Sequence, residues 1–203
     1  MAGCETAGMP ELSRVRLIAS VLCVATAAGC GGGTDEASGI DGVVLSRADP
    51  SHEHTTEAQD YPDRPPVGGP HWPPQAGGVL GWLRCGVYAD PVPDEFAVHS
   101  LEHGAVWLTY LPGATEDQIV ALRELVSARP DYVLVSPYPG QESPFTATAW
   151  GARPAVDDPD DRRLREFVDR YAAGPQGGEE GADCANGSTP EDARAAMAAV
   201  DGG

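Results

Sequence analysis

All five histidines of this 203-residue chain fall between His52 and His103, and none lies in the last hundred residues. Four of them form two close pairs. In His52-Glu53-His54 the spacing is two, so on an extended segment both rings point the same way. In His99-Ser100-Leu101-Glu102-His103 the spacing is four, so on a helix both rings share one face. His71 stands apart, after Gly69-Pro70 on a stiff loop. Imidazole is a borderline ligand that suits Zn(II), Cu(II), Ni(II) and Fe(II). Three or four rings drawn from His52, His54, His71, His99 and His103 would form such a site, with zinc or Cu(II) as the expected ion. Beyond the leader only Met197 carries a thioether, which argues against a Met-rich Cu(I) site. Glu102 is expected beside the metal, as a ligand, as an orienting group or as a general acid/base. Tyr61 and Tyr88 are candidates to line a pocket or to donate to the histidines.

Two other readings stay open. His99-x-x-Glu102-His103 has the form H-x-x-E-H, which inverted zinc peptidases also use, with the Glu activating a metal-bound water. That would make the chain a metal-dependent enzyme, although Gly104 stops the helix at once. The third reading needs no metal. Histidines bond the carbonyls of irregular backbone, and a His at a helix C-terminus complements the dipole. The chain would then be a structural or interaction module of the cell envelope.

The elements that must position these residues begin near Asp94. Asp94 is expected to cap a helix running to His103. Gly104 to Tyr110 reads as a buried strand. Thr115 with Gln118 makes a capping box, and Ile119, Leu122, Leu125 and Val126 line the apolar face of the helix that follows, up to Pro130. Tyr132 to Ser136 and Phe145 to Trp150 are two further strands. Asp158-Pro159 opens a helix with Leu164, Phe167, Val168 and Tyr171 on its stripe, and Pro190 to Val200 is a weak Ala-rich helix. Residues 40 to 95 are rich in Pro, Gly and His, with short strands such as Gly42 to Leu45. This order predicts an α+β fold: a small mixed sheet of about three to five strands, two main helices on one face, and a loop-rich half wrapped over the sheet.

Arg14 and Arg16, the apolar run Leu17 to Ala28 and the sequence Ala27-Ala28-Gly29-Cys30 have the pattern of a cleaved secretory leader. Cys30 directly after Ala-Gly resembles a bacterial lipobox, so this cysteine is the expected lipidation site. The expected organisation is a signal peptide over 1–29, a flexible tether over 30–41, one globular domain over 42–173 and a Gly-rich tail over 174–203. The protein is then exported and lipid-anchored on the extracytoplasmic side of a bacterial membrane, its membrane contact made by the lipid. Only Cys85 and Cys184 remain in the exported domain and are expected to form a disulfide that ties the tail down; Cys85 as a metal ligand is the competing reading. With 31 acidic residues against 13 basic, all of them Arg, the net charge of −18 repels phosphate backbones and excludes nucleic acid as a main partner. No protein partner is legible.

Six pieces in order, His52-x-His54, Tyr61 with Pro65-Pro66, Gly69-Pro70-His71, Gly86-Val87-Tyr88, His99 through Val106, and Tyr110, resemble the bacterial domain of unknown function 3105 family. The resemblance implies one coherent domain with the histidines as its signature, and envelope or membrane association. It brings no established activity, substrate or cofactor.

Overall fold

The computed structural model describes residues 39–46 and 52–202. The leader, Cys30 and most of the tether lie outside the described residues. The fold is α+β. Five buried residues form the strand β5 (Val106–Tyr110), which is flanked on one side by parallel β6 (Val133–Pro137) and on the other by antiparallel β7 (Phe145–Thr148). The chain passes from β5 to β6 through α2 (Glu116–Ala128), as a parallel pair requires a crossover. β5 shows no in–out alternation because both of its faces are covered. Val106, Leu108 and Tyr110 face one core with Leu122 and Leu125 of α2, while Trp107 faces another.

The sheet has six strands among the described residues, where three to five were expected, in the order β1 (Val43–Leu45), β8 (Ala152–Val156), β7, β5, β6, β4 (Gly86–Val87). The additional central strand is β8. Pro154 argues against a strand in the sequence, yet β8 pairs with β7 on one side and β1 on the other. Its entry is a tight turn at Trp150-Gly151, where Gly151 has φ +73°. A two-stranded hairpin, β2 (Gln75–Ala76) and β3 (Val79–Leu80), turns on Gly77-Gly78, both with positive φ, as a two-residue hairpin loop demands.

On one face of the sheet lie α2 and α3 (Arg162–Tyr171). Leu164, Phe167, Val168 and Tyr171 are all buried there, and each such apolar side chain is worth about 1.5–3 kcal/mol. The capping box of Thr115 and Gln118 is formed. α3 starts later than Asp158-Pro159 suggests, because Asp161 is the residue whose carboxylate accepts from a first-turn backbone N–H. The opposite face carries α1 (Asp94–Glu102), the loop-rich half and α4 (Pro190–Asp201), packed around Trp72, Leu83, Phe96, Leu101 and Trp107. Asp94 does not cap α1. It lies inside the first turn and accepts from the Tyr138 hydroxyl at 2.9 Å, with Pro93 in the cap position.

Beyond Tyr171 the chain returns to the domain. The Cys85–Cys184 disulfide is formed, with a Cα separation of 5.1 Å, and Cys184 is fully buried. The segment is also held by Ser188, whose backbone N–H donates to the Trp82 carbonyl, and by Ala193 and Ala196 of α4, which enter the second core. Among the described residues no helix is long and apolar enough to cross a membrane.

Candidate metal centre

α1 supplies the floor of the site. Its C-terminal half is buried throughout, so the i,i+3 pair His99 and Glu102 projects from one face into the interior. Two extended segments form the wall. His54 and His71 make a parallel β-bridge, with Thr55 N–H donating to the His71 carbonyl (2.8 Å) and His71 N–H to the Glu53 carbonyl (2.9 Å). Bridged residues project their side chains together, and the two ring centroids lie 4.8 Å apart.

The four side chains converge. One donor atom from each of His54, His71, His99 and Glu102 lies within 4.8 Å of all the others, so these residues could hold a metal ion. Glu102 Oε2 is 2.8 Å from His71 Nε2, 3.4 Å from His54 Nε2 and 4.0 Å from His99 Nε2. Donors around a tetrahedral zinc stand about 3.3 Å apart, given Zn–N and Zn–O bonds of roughly 2.0–2.1 Å. A contraction of at most about 1.5 Å at the widest pairs, with a slight opening of the His71–Glu102 pair, would complete that geometry. His71, His99 and Glu102 are buried, while the His54 side chain keeps 34% of its surface exposed and marks the open side.

The ring nitrogens facing away from the centre are already engaged. His71 Nδ1 donates to the Gly69 carbonyl at 2.8 Å, and His99 Nδ1 donates to the Trp72 carbonyl at 2.5 Å. Carbonyl oxygens only accept, so both Nδ1 atoms carry a proton, and each ring, when neutral, turns an Nε2 lone pair inward. Two consequences follow. The His99 lone pair is buried and meets no hydrogen-bond partner. The His71 lone pair faces a carboxylate oxygen at 2.8 Å. Two acceptors at that distance require a cation between them, a second proton or a metal ion.

The electrostatics place a neutral His99 beside an ionised Glu102. Burial, with the nearby His71 and His103, pushes the His99 imidazole down to about 3. Burial pushes Glu102 the other way, but the hydrogen bond and charge of His71, the His52 hydrogen bond and His99 outweigh it and hold the carboxyl at about 2. For each group the folded value lies below the unfolded one, so stability is present above the unfolded pKa and is lost as pH falls toward the folded value. The metal-free protein is expected to lose stability from about pH 6.5 downward as unfolded His99 takes up a proton, and further below about pH 4.3 through Glu102. Urea unfolding at pH 7, 5.5 and 4 measures this. A His99→Gln chain with an unchanged slope between pH 6.5 and 4.5 would assign the effect elsewhere.

His52 is near but does not belong to the four. Its backbone is left-handed, with φ +48°, so the alternation rule for extended chain does not apply and the His52 ring approaches from another side. Its Nδ1 reaches the other carboxylate oxygen, Glu102 Oε1, at 2.6 Å, and the ring stacks on buried Trp150 at 4.4 Å. His52 thus orients the carboxylate. Glu102 is the hub of the cluster and not its accessory. His103 turns away: its Nδ1 donates to the Asp183 carbonyl at 2.9 Å and its Nε2 lies 3.0 Å from Glu179 Oε2, so it groups with His99 and Glu179. Tyr61 spends its hydroxyl on the Pro70 carbonyl, at 2.6 Å, and shapes the loop that presents His71. Tyr88 donates to the Arg84 carbonyl and packs on the Cys85 side of the second core. Neither tyrosine hydroxyl reaches a histidine. Cys85 is in the disulfide and is no ligand.

Three contributors escaped the sequence reading: Glu179, Trp150 and the last loop. Gly177 lies so close to the end of α1 that an added Cβ would stand 2.2 Å from the Glu102 carbonyl, and at Gly178 it would stand 2.8 Å from the His52 ring. The Gly177-Gly178 pair was the available signal, since adjacent glycines mark a close backbone approach.

No curated protein and no solved structure matches the chain. A family model described as "Protein of unknown function (DUF3105)" matches residues 52–186, a span that holds all five histidines, Glu102, Glu179 and both cysteines of the disulfide. The chain belongs to that family.

Proposed function

We propose that this protein is an exported, lipid-anchored domain that binds one divalent transition metal ion through His54, His71, His99 and Glu102. The observation that carries the reading is the buried, partnerless Nε2 of His99 aimed at the carboxylate whose other neighbours are the His71 and His54 rings. A buried polar atom without a partner is costly, and an ion at the centre would satisfy it. Three imidazoles and a carboxylate suit Zn(II) or Cu(II). Carbonyls behind His71 and His99, and His52 behind Glu102, supply the outer hydrogen bonds that fix ligand orientation. The leader pattern ending at Cys30 supports export and anchoring, and the disulfide suits an oxidising compartment.

Elemental analysis of chain purified without a His tag tests the site. About one equivalent of zinc or copper is expected, falling at least tenfold in occupancy in His99→Asn, which keeps a donor for the Trp72 carbonyl while removing Nε2. Equal metal content in the two proteins would end the proposal. In the same cells, Cys30→Ser is expected to move the protein out of the detergent phase.

A further inference from the structure

We infer that His99, His103 and Glu179 form a second, outer metal position, and that it shares His99 with the inner one, so that only one of the two is filled at a time. One donor atom from each of the three lies within 4.8 Å of the others. The His99 and His103 ring centroids are 4.8 Å apart, nearly perpendicular, with the Trp82 ring beside both.

Around His103 the acceptors outnumber the donors of a neutral ring. His103 Nδ1 stands against the Asp183 carbonyl at 2.9 Å, and its Nε2 stands against Glu179 Oε2 at 3.0 Å. Both neighbours are acceptors, while a neutral imidazole has one N–H. With Nδ1–H given to the carbonyl, Nε2 faces a carboxylate, and a second proton or a metal ion belongs between them. The His103 side chain is nearly buried, whereas the Glu179 side chain is 44% exposed. The outer position therefore opens to solvent through Glu179, on the segment that the disulfide at Cys184 holds down.

Exclusivity comes from His99. Its Nδ1 is committed to the Trp72 carbonyl, which leaves Nε2 as the one nitrogen it can offer to either group. One lone pair serves one ion. The sharing, though not the outer position itself, rests on the metal reading of the inner group. With three protein ligands the outer position is the weaker, and it suits a zinc-like ion that completes its shell with water.

Zinc titration calorimetry on the disulfide-intact chain tests this. The wild type is expected to bind one tight equivalent. His71→Asn, which disables the inner group, is expected to retain one equivalent at least tenfold weaker. Adding Glu179→Gln, an exposed change that leaves folding intact, is expected to weaken that remaining binding by a further tenfold or more, and His103→Asn, which keeps a donor for Asp183, is expected to do the same. Residual binding indifferent to both substitutions overturns the outer position. Two tight equivalents in the wild type overturn the sharing. Wild-type affinity that survives His71→Asn but is lost with Glu179→Gln would sink the inner reading while supporting the outer one.

Discussion

Zinc in large excess over its dissociation constant is expected to raise the melting temperature of the metal-free protein by roughly 10 °C, and Glu102→Gln to lose most of that rise. A ligand at about a thousand times its Kd stabilises the folded state by about 4 kcal/mol, and each kcal/mol moves a domain of this size by about 2–4 °C. Glutamine keeps the size of Glu102 but removes the charge on which His52, His54 and His71 converge. An amide oxygen is a poorer partner for a divalent ion than a carboxylate, so the variant should keep only the weaker outer binding and show a much smaller difference in melting between zinc and chelator. Differential scanning fluorimetry with the disulfide intact reads both numbers. Identical melting of the wild type in chelator, zinc and Cu(II) would leave a metal-free histidine network as the better account. Binding should also weaken as pH falls, because the ligating rings must be neutral.

The second large effect concerns the disulfide. Cys85 and Cys184 are 99 residues apart, and for a loop of that length the chain-entropy account gives about 4–5 kcal/mol. Paired Cys85→Ser and Cys184→Ser substitution should lower the urea-unfolding free energy by that order. A functional consequence goes with it. Asp183, whose carbonyl fixes His103, adjoins Cys184, and Glu179 lies on the same segment. The double-serine chain should therefore keep inner metal binding while the dependence on Glu179 disappears. A loss below about 1 kcal/mol would mean that the backbone hydrogen bonds of Cys184 to Asp131 and of Ser188 to Trp82 hold the segment without the covalent link.

Much of the scaffold was readable because it depends on local patterns. The Thr115–Gln118 box, the stripe from Leu164 to Tyr171 and the β-rich run through Trp107 each declare an element within a few residues. β8 was not readable, since Pro154 speaks against it locally and only its two sheet neighbours outvote that preference. The same division runs through the site. Residue types, the i,i+3 relation of His99 to Glu102 and the stiff loop before His71 follow from the chain itself, because a helix or a Gly-Pro turn sets directions over short distances. Which rings meet does not. Tertiary structure placed His54 beside His71 through a bridge between remote segments, turned His52 aside onto Trp150, made Glu102 the hub and gave His103 to Glu179. Convergence of that kind is a property of packed surfaces and a covalent cross-link, and neither has a period that a linear pattern can display.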